Sequence, residues 1–156
     1  AGEALVGKYI GAKDKLRLSQ SIRWTFIWSM AIAVIFMGIY HFAGVPMLRM
    51  MTSDAAVVEQ SREFLPWLLL MPVIGCAAFT WDGIYIGATA SKEIRNAMLW
   101  AVVAFVLVWA VPTFGMDYAL MTSPNLAIHI LMAAYFAHLL ARTVYLSINY
   151  KKTVII

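Results

Sequence analysis

Long apolar stretches alternate with short polar segments along the chain. Four stretches reach the roughly 20 residues that a helix needs to cross the hydrocarbon of a bilayer; they cover residues 21–43, 64–90, 97–118 and 126–148. In lipid, a single segment satisfies its backbone hydrogen bonds only as a helix. The pattern therefore predicts four transmembrane helices, and residues 1–7 predict the end of a fifth, so that a partial chain is expected.

Capping residues and prolines mark the predicted helix boundaries. Ser91 is expected to cap the third helix, and Ser123, directly before a proline, predicts the start of the fourth. Asp54 predicts that the second helix begins well before its membrane entry. Because proline removes a backbone hydrogen bond, Pro66 and Pro72 predict that this helix is kinked.

The composition supports an all-α integral membrane protein. Hydrophobic residues make up 63% of the chain and charged residues 13%, and the mean hydropathy is +0.79. A water-soluble protein of this composition would expose large apolar patches, which soluble proteins avoid. The lipid bilayer is therefore the expected surrounding.

Basic residues predict the orientation of the chain. They concentrate before the first span, between the second and third, and after the fourth, at Lys8, Lys13, Lys15, Arg17, Lys92, Arg95, Lys151 and Lys152. Such segments remain on the cytoplasmic side. We expect a multi-pass protein of the plasma (inner) membrane with both termini of this segment in the cytoplasm. The net charge of +4 forms no patch, and nucleic acid is not an expected partner.

Asp82 is the strongest candidate for a functional residue because it is an acid within a predicted span. We expect it about 12 Å inside the helix end, at about 1.5 Å per residue. An unpaired carboxylate in hydrocarbon costs at least about 3 kcal/mol. Asp82 should therefore face the bundle interior or a wet cavity, take a partner, or stay protonated, and each arrangement suits the binding and release of a proton or cation. The alternative is a hydrogen bond that only packs two helices.

Weaker candidates accompany Asp82. Tyr85 and Thr89 share its predicted helix face, which is therefore expected to avoid lipid. Glu3 is a second acid in an apolar helix, but that helix is incomplete, so its depth in the membrane stays open. A solvated helix surface is the interpretation of Glu59 and Glu63.

Arg142 allows two interpretations. It can extend its side chain to the cytoplasmic interface, or it can form a buried relay with His138 and Tyr145, which share its helix face. Neither the three histidines nor Cys76 has the spacing of converging metal ligands, so no metal site is expected. The chain also lacks a P-loop, GxGxxG or GxSxG motif, and we expect no enzyme activity and no cofactor.

Several segments together resemble the multidrug and toxin extrusion (MATE) family, in particular its DinF-type branch. In chain order and over nearly the whole chain, they are Ala4-Leu5-Val6-Gly7, Met51-Thr52-Ser53-Asp54, Phe64-Leu65-Pro66-Trp67, Trp81-Asp82-Gly83-Ile84-Tyr85-Ile86-Gly87-Ala88-Thr89 and Arg95-Asn96-Ala97-Met98. The longest of them contains Asp82.

The resemblance implies a transporter of twelve helices in two six-helix lobes. Residues 1–156 would be a partial C-terminal lobe, from the end of the eighth helix to the twelfth, and the missing N-terminal lobe would be a partner. The implied activity is export of drugs or organic cations in exchange for protons or sodium ions. Asp82 matches an acid that some members are proposed to use for cation binding. Those branches place an aromatic hydroxyl one turn earlier, where this chain has Ala78.

Two alternatives remain at this point. A flippase of the same superfamily would move lipid-linked saccharide and would favour a row of Arg or Lys facing a cavity. A self-contained membrane protein of four helices could act as a small dimeric exporter or an assembly subunit.

Overall fold

The computed structural model describes residues 2–115 and 124–154, and within those ranges the chain forms helices and no strand. The helices are α1 (Gly2–Gly11), α2 (Lys15–Met51), α3 (Ala55–Arg62), α4 (Leu65–Gly87), α5 (Ser91–Gly115) and α6 (Pro124–Thr153). Four of them, α2, α4, α5 and α6, are long and apolar enough to cross a membrane. The predicted all-α membrane fold is confirmed.

The predicted spans correspond to α2, α4, α5 and α6 and differ from them at their edges. Helix α2 extends well beyond the first predicted span, residues 21–43, at both ends. Helix α4 stops at Gly87, before the end of the second predicted span. Helix α5 begins at Ser91, which agrees to within a residue with the predicted cap. The end of the span at residues 116–118 and the cap at Ser123 lie outside the described residues.

The predicted kinked helix from Asp54 onward is two helices. Asp54 does cap α3, because its side chain accepts hydrogen bonds from the backbone N–H groups of Ala56 and Val57. The chain then turns at Glu63 and Phe64 before α4 begins. Pro66 therefore lies in the first turn of α4, where its missing N–H breaks no helical bond. Of the two prolines, only Pro72 lies inside α4, so the prediction that Pro66 kinks the helix is wrong.

Helix α1 runs back against α2 and also packs on α4. The turn between α1 and α2 uses Lys13 at a φ of 55°, followed by Asp14, whose carboxylate accepts from the backbone N–H of Arg17 at 3.0 Å. A Cβ on Gly87 would collide with the backbone carbonyl of Glu3. Glycine at position 87 therefore permits the close crossing of α1 and α4.

The buried core lies at one end of the bundle. It gathers side chains from five helices and the residue after α6, namely Val6, Leu18, Ile22, Trp81, Ile84, Tyr85, Ala97, Leu146 and Val154. The turn between α1 and α2, the turn between α4 and α5, and the end of α6 meet at this end. These are the segments that carry the basic residues of the orientation prediction, so the fold places them on the same side.

Helix α4 is the most enclosed of the four long helices, whereas α2 and α5 keep apolar faces open. Examples of exposed side chains are Trp28 and Phe42 on α2 and Val111 on α5. Helix α5 packs along α6, and α2 packs along α4. The central position of α4 makes it the helix on which a buried polar side chain can be held away from lipid.

Candidate functional site

Asp82 lies on the enclosed side of α4. Its neighbours one turn away, Ala78 and Tyr85, are fully buried, and Trp81 is nearly so. The side chain of Asp82 is 14% exposed. The residue is about 8 Å from the end of α4 at Gly87, at about 1.5 Å per residue, which is shallower than the sequence predicted. The expectation that this face is enclosed holds for Tyr85 and does not hold for Thr89, which is exposed.

The partner of Asp82 is Arg142 on α6. Nη2 of Arg142 lies 2.5 Å from Oδ2 of Asp82, and the arginine side chain is 9% exposed. The interpretation in which Arg142 reaches toward the cytoplasmic interface is therefore wrong. A guanidinium is stabilised more by an adjacent carboxylate than by apolar surroundings, and pairing lets both charges remain inside the bundle.

The ion pair keeps unused hydrogen-bonding capacity. Oδ1 of Asp82 and Nε of Arg142 are buried and have no partner among the described residues. Removing one member of such a pair typically costs about 3–5 kcal/mol, because the other charge stays buried without compensation. The pair therefore links α4 to α6, and its carboxylate retains one oxygen without a partner among the described residues.

Aromatic side chains enclose the helix turn that carries Asp82. The ring of Trp81 packs edge-on against Phe26 of α2, with centroids 4.8 Å apart. It also packs at a tilt against Tyr150 of α6, with centroids 5.2 Å apart. The hydroxyl of Tyr85 donates to the backbone carbonyl of Leu146 at 2.8 Å. This donor is occupied by the carbonyl on α6, so Tyr85 joins the two helices, and it makes no described hydrogen bond to Asp82.

The other two predicted candidates are not brought to the ion pair. Glu3 is exposed on α1, where its backbone approaches Gly87. Thr89 follows the end of α4, is exposed, and directs its hydroxyl to the carbonyl of Ala88. Neither makes an ion pair or hydrogen bond with Asp82 among the described contacts.

A second polar cluster lies at the opposite end of α4 and α6. His129 accepts a hydrogen bond at Nδ1 from Nε1 of Trp67 at 2.8 Å, and its Nε2 lies 3.2 Å from Oε1 of Glu63. Asn125 donates to Glu63 at 2.7 Å and accepts from Gln60 at 3.2 Å. Glu63 is thus part of a helix–helix contact, which the interpretation as a solvated surface missed.

The structure gives His138 and Tyr145, the other members of the proposed relay, partners other than Arg142. Tyr145 donates to Glu93 of α5 at 2.9 Å, and the ring of His138 stacks on Tyr135 of its own helix. Arg142 instead contacts α4. Within residues 2–115 and 124–154, no group of three or more His, Cys, Asp or Glu side chains converges as a metal site would require.

Comparison with known proteins identifies the family. The MatE family model matches residues 1–113. The chain is 31% identical over 142 residues to the DNA damage-inducible protein F of Escherichia coli (strain K12), an alignment that covers 91% of this chain and 28% of that protein. No solved structure matches the chain. The family resemblance predicted from the sequence is confirmed: the chain belongs to the MATE family, in its DinF-type branch.

Proposed function

We propose that the chain is part of the C-terminal lobe of a secondary antiporter that exports drugs or organic cations in exchange for protons or sodium ions. The observation that supports it most directly is the enclosed carboxylate of Asp82 on α4, in a helix that belongs to a membrane span. Intramembrane acids of this kind mark ion and proton pathways in transporters. In this proposal Asp82 is the group that binds the coupling cation.

The physical basis of coupling is the change of charge at the ion pair. With Asp82 ionised, the pair with Arg142 is neutral; with a cation bound to the carboxylate, the site carries a net positive charge. A charge that is poorly compensated in a low-dielectric interior favours rearrangement of the helices around it. Binding and release can therefore favour different arrangements of the lobe, as alternating access requires.

The proposal needs a second lobe. The chain spans about 28% of the length of the relative that it matches, and rocking of one lobe against another around a midplane site is how such transporters expose the site alternately. We assign residues 1–156 to the end of the eighth helix and helices nine to twelve, with the basic end of the bundle in the cytoplasm. The N-terminal lobe is the corresponding partner.

The flippase alternative has less support. A flippase for lipid-linked saccharide favours several basic side chains that face a cavity. Within the described ranges Arg142 is the one buried basic residue, and its charge is neutralised by Asp82. The family's role in transport also favours a transporter over an enzyme.

The test is drug efflux by the full-length transporter in vesicles, comparing wild type with Asp82→Asn under imposed proton and sodium gradients. The variant should lose coupled efflux when efflux is normalised to the amount of inserted protein, a normalisation that is needed because an unpaired Arg142 also lowers stability. Glu93→Gln is the matched control, since it makes the same acid-to-amide change on α5, where Glu93 accepts from Tyr145. Efflux by Asp82→Asn that still follows the ion gradient would exclude Asp82 from coupling.

A further inference from the structure

We propose that Arg142 is the resident counter-cation of Asp82, and that the coupling cation occupies the carboxylate by displacing the guanidinium. The inference rests on the proposed function of Asp82 and adds how that site is regulated: Arg142 sets the concentration at which the coupling cation binds. The carboxylate then alternates between two positive partners, one supplied by α6 and one from solution.

The first argument is geometric. The contact of 2.5 Å between Nη2 of Arg142 and Oδ2 of Asp82 joins two helices, and both side chains are more than four-fifths enclosed. A cation arriving at Asp82 therefore meets a carboxylate that is already neutralised. It must compete with the guanidinium, because two positive charges on one buried carboxylate repel each other.

The second argument is the hydrogen-bonding state of the pair. Oδ1 of Asp82 has no partner among the described residues, so one carboxylate oxygen is available to bind a proton or a sodium ion. Nε of Arg142 likewise has no described partner, so the pair uses less than the full hydrogen-bonding capacity of the guanidinium. The contact is therefore weaker than a fully satisfied pair, as an exchangeable partner requires.

The third argument is the absence of a described competitor near the carboxylate. Charged residues on the other helices packed against α4 are Glu3 and Lys8 on α1, Lys92, Glu93 and Arg95 on α5, and the basic residues of α2 at Lys15, Arg17, Arg23 and Arg49. None of them pairs with Asp82 among the described contacts. On α6 the other titratable groups near the pair are His138, stacked on Tyr135, and Tyr145, bound to Glu93. Arg142 is thus the group expected to control occupancy.

The exchange balances without a further reactant. When a proton binds, the carboxylate of Asp82 becomes a carboxylic acid, no covalent bond breaks, and the guanidinium of Arg142 keeps its charge. When sodium binds, it takes the place of the guanidinium on the carboxylate. In both cases the link between α4 and α6 is weakened by occupancy and restored by release.

The experiment measures the concentration of protons, and separately of sodium ions, that gives half-maximal efflux by the full-length transporter in proteoliposomes. In Arg142→Gln, half-saturation should occur at a concentration about ten- to a thousandfold lower, since an opposite charge at this distance shifts binding to a carboxylate by that factor. The maximal rate should fall because the cation is released slowly. Arg142→Lys should keep half-saturation close to wild type.

Tyr85→Phe is the matched structural control, because it removes a different hydrogen bond between α4 and α6 and no charge. Its half-saturation should equal that of wild type. A shift in Tyr85→Phe as large as that in Arg142→Gln would assign the effect to helix packing and overturn the inference. Unchanged half-saturation in Arg142→Gln, with coupling abolished in Asp82→Asn, would overturn the inference alone. Coupled efflux by Asp82→Asn would overturn the proposed function as well.

If Arg142→Gln does not insert, the abundance of the double variant Asp82→Asn with Arg142→Gln tests whether Arg142 is the partner of Asp82. Removing both charges should restore insertion, because no uncompensated carboxylate remains. A double variant as depleted as Arg142→Gln would mean that Arg142 serves something other than Asp82.

Discussion

Nε1 of Trp67 donates to Nδ1 of His129 across α4 and α6 at 2.8 Å. This bond lies at the opposite end of the two helices from the contact between Tyr85 and Leu146, with the ion pair of Asp82 and Arg142 between the two ends. The two helices are therefore joined by polar contacts near both ends of their shared length.

Replacing His129 should weaken the contact between α4 and α6 near Trp67 and lower the stability of the protein. His129→Phe removes the acceptor of Trp67 and the contact with Glu63, and an unpaired, half-buried donor costs about 1–3 kcal/mol. We expect a lower midpoint of thermal unfolding for the full-length transporter in detergent. The control is His138→Phe on the same helix, where the ring only stacks on Tyr135 and a smaller change is expected. Equal midpoints for the two variants would contradict a stabilising role for the polar cluster of Glu63, Asn125 and His129.

Adding a methyl group at the crossing of α1 and α4 should lower the stability of the protein. Gly87→Ala places a Cβ against the backbone of Glu3, which cannot yield as a flexible side chain would. Overpacking of this kind costs about 1–3 kcal/mol. Gly83→Ala, one turn earlier, meets no atom within 4 Å and should leave stability equal or slightly higher. The measurement is thermal stability of both variants, and a stable Gly87→Ala would contradict the close crossing.

Thr89 holds a backbone conformation that suits glycine. Its φ is 56°, in the left-handed region, and β-branched residues adopt it at a cost. We expect Thr89→Gly to raise stability by about 1 kcal/mol, from the penalty for L-residues in that region. Thr143→Gly within α6 should instead lower stability by about 1 kcal/mol. Loss of coupled efflux in a stabilised Thr89→Gly would restore Thr89 as a functional candidate.

The orientation can be measured by cysteine labelling in a full-length background without other cysteines, with Cys76 replaced. Ser53 and Lys92 are exposed at opposite ends of the bundle. In intact cells, a membrane-impermeant thiol reagent should label Ser53→Cys and not Lys92→Cys, since the basic end is expected in the cytoplasm. Permeabilised cells should label both. Labelling of Lys92→Cys in intact cells would reverse the orientation.

The sequence predicted those parts of the fold that depend on local composition. Hydrophobic length located the four long helices, and the cap at Asp54 was visible as a short polar signal. The break at Glu63 and Phe64 was not predicted, because Pro66 fits either a kink inside one helix or the first turn of a new helix. The local sequence does not distinguish the two arrangements, whereas the tertiary packing does.

The same reason limited the prediction of the site. The acid at position 82 was identifiable because an ionisable residue within an apolar span requires an explanation. Its partner was not, because Arg142 lies sixty residues away in the chain, near the end of a span where basic residues commonly reach toward the interface. Only the packing of α4 on α6 distinguishes the two arrangements.

The length of α2 has a consequence for the polar cluster that contains Glu63. Its 37 residues extend about 55 Å, nearly twice the roughly 30 Å of hydrocarbon. Tilts of membrane helices reach about 40°, which is too little to accommodate that difference within the bilayer. Helix α2 therefore protrudes from the hydrocarbon. Helix α3, which follows it, carries the exposed ion pair of Glu59 and Arg62, and a helix with such charges is expected outside the hydrocarbon. The side chain of Glu63, directly after α3, is 49% exposed, so we expect ions in the aqueous phase on that side of the membrane to reach its carboxylate without crossing lipid.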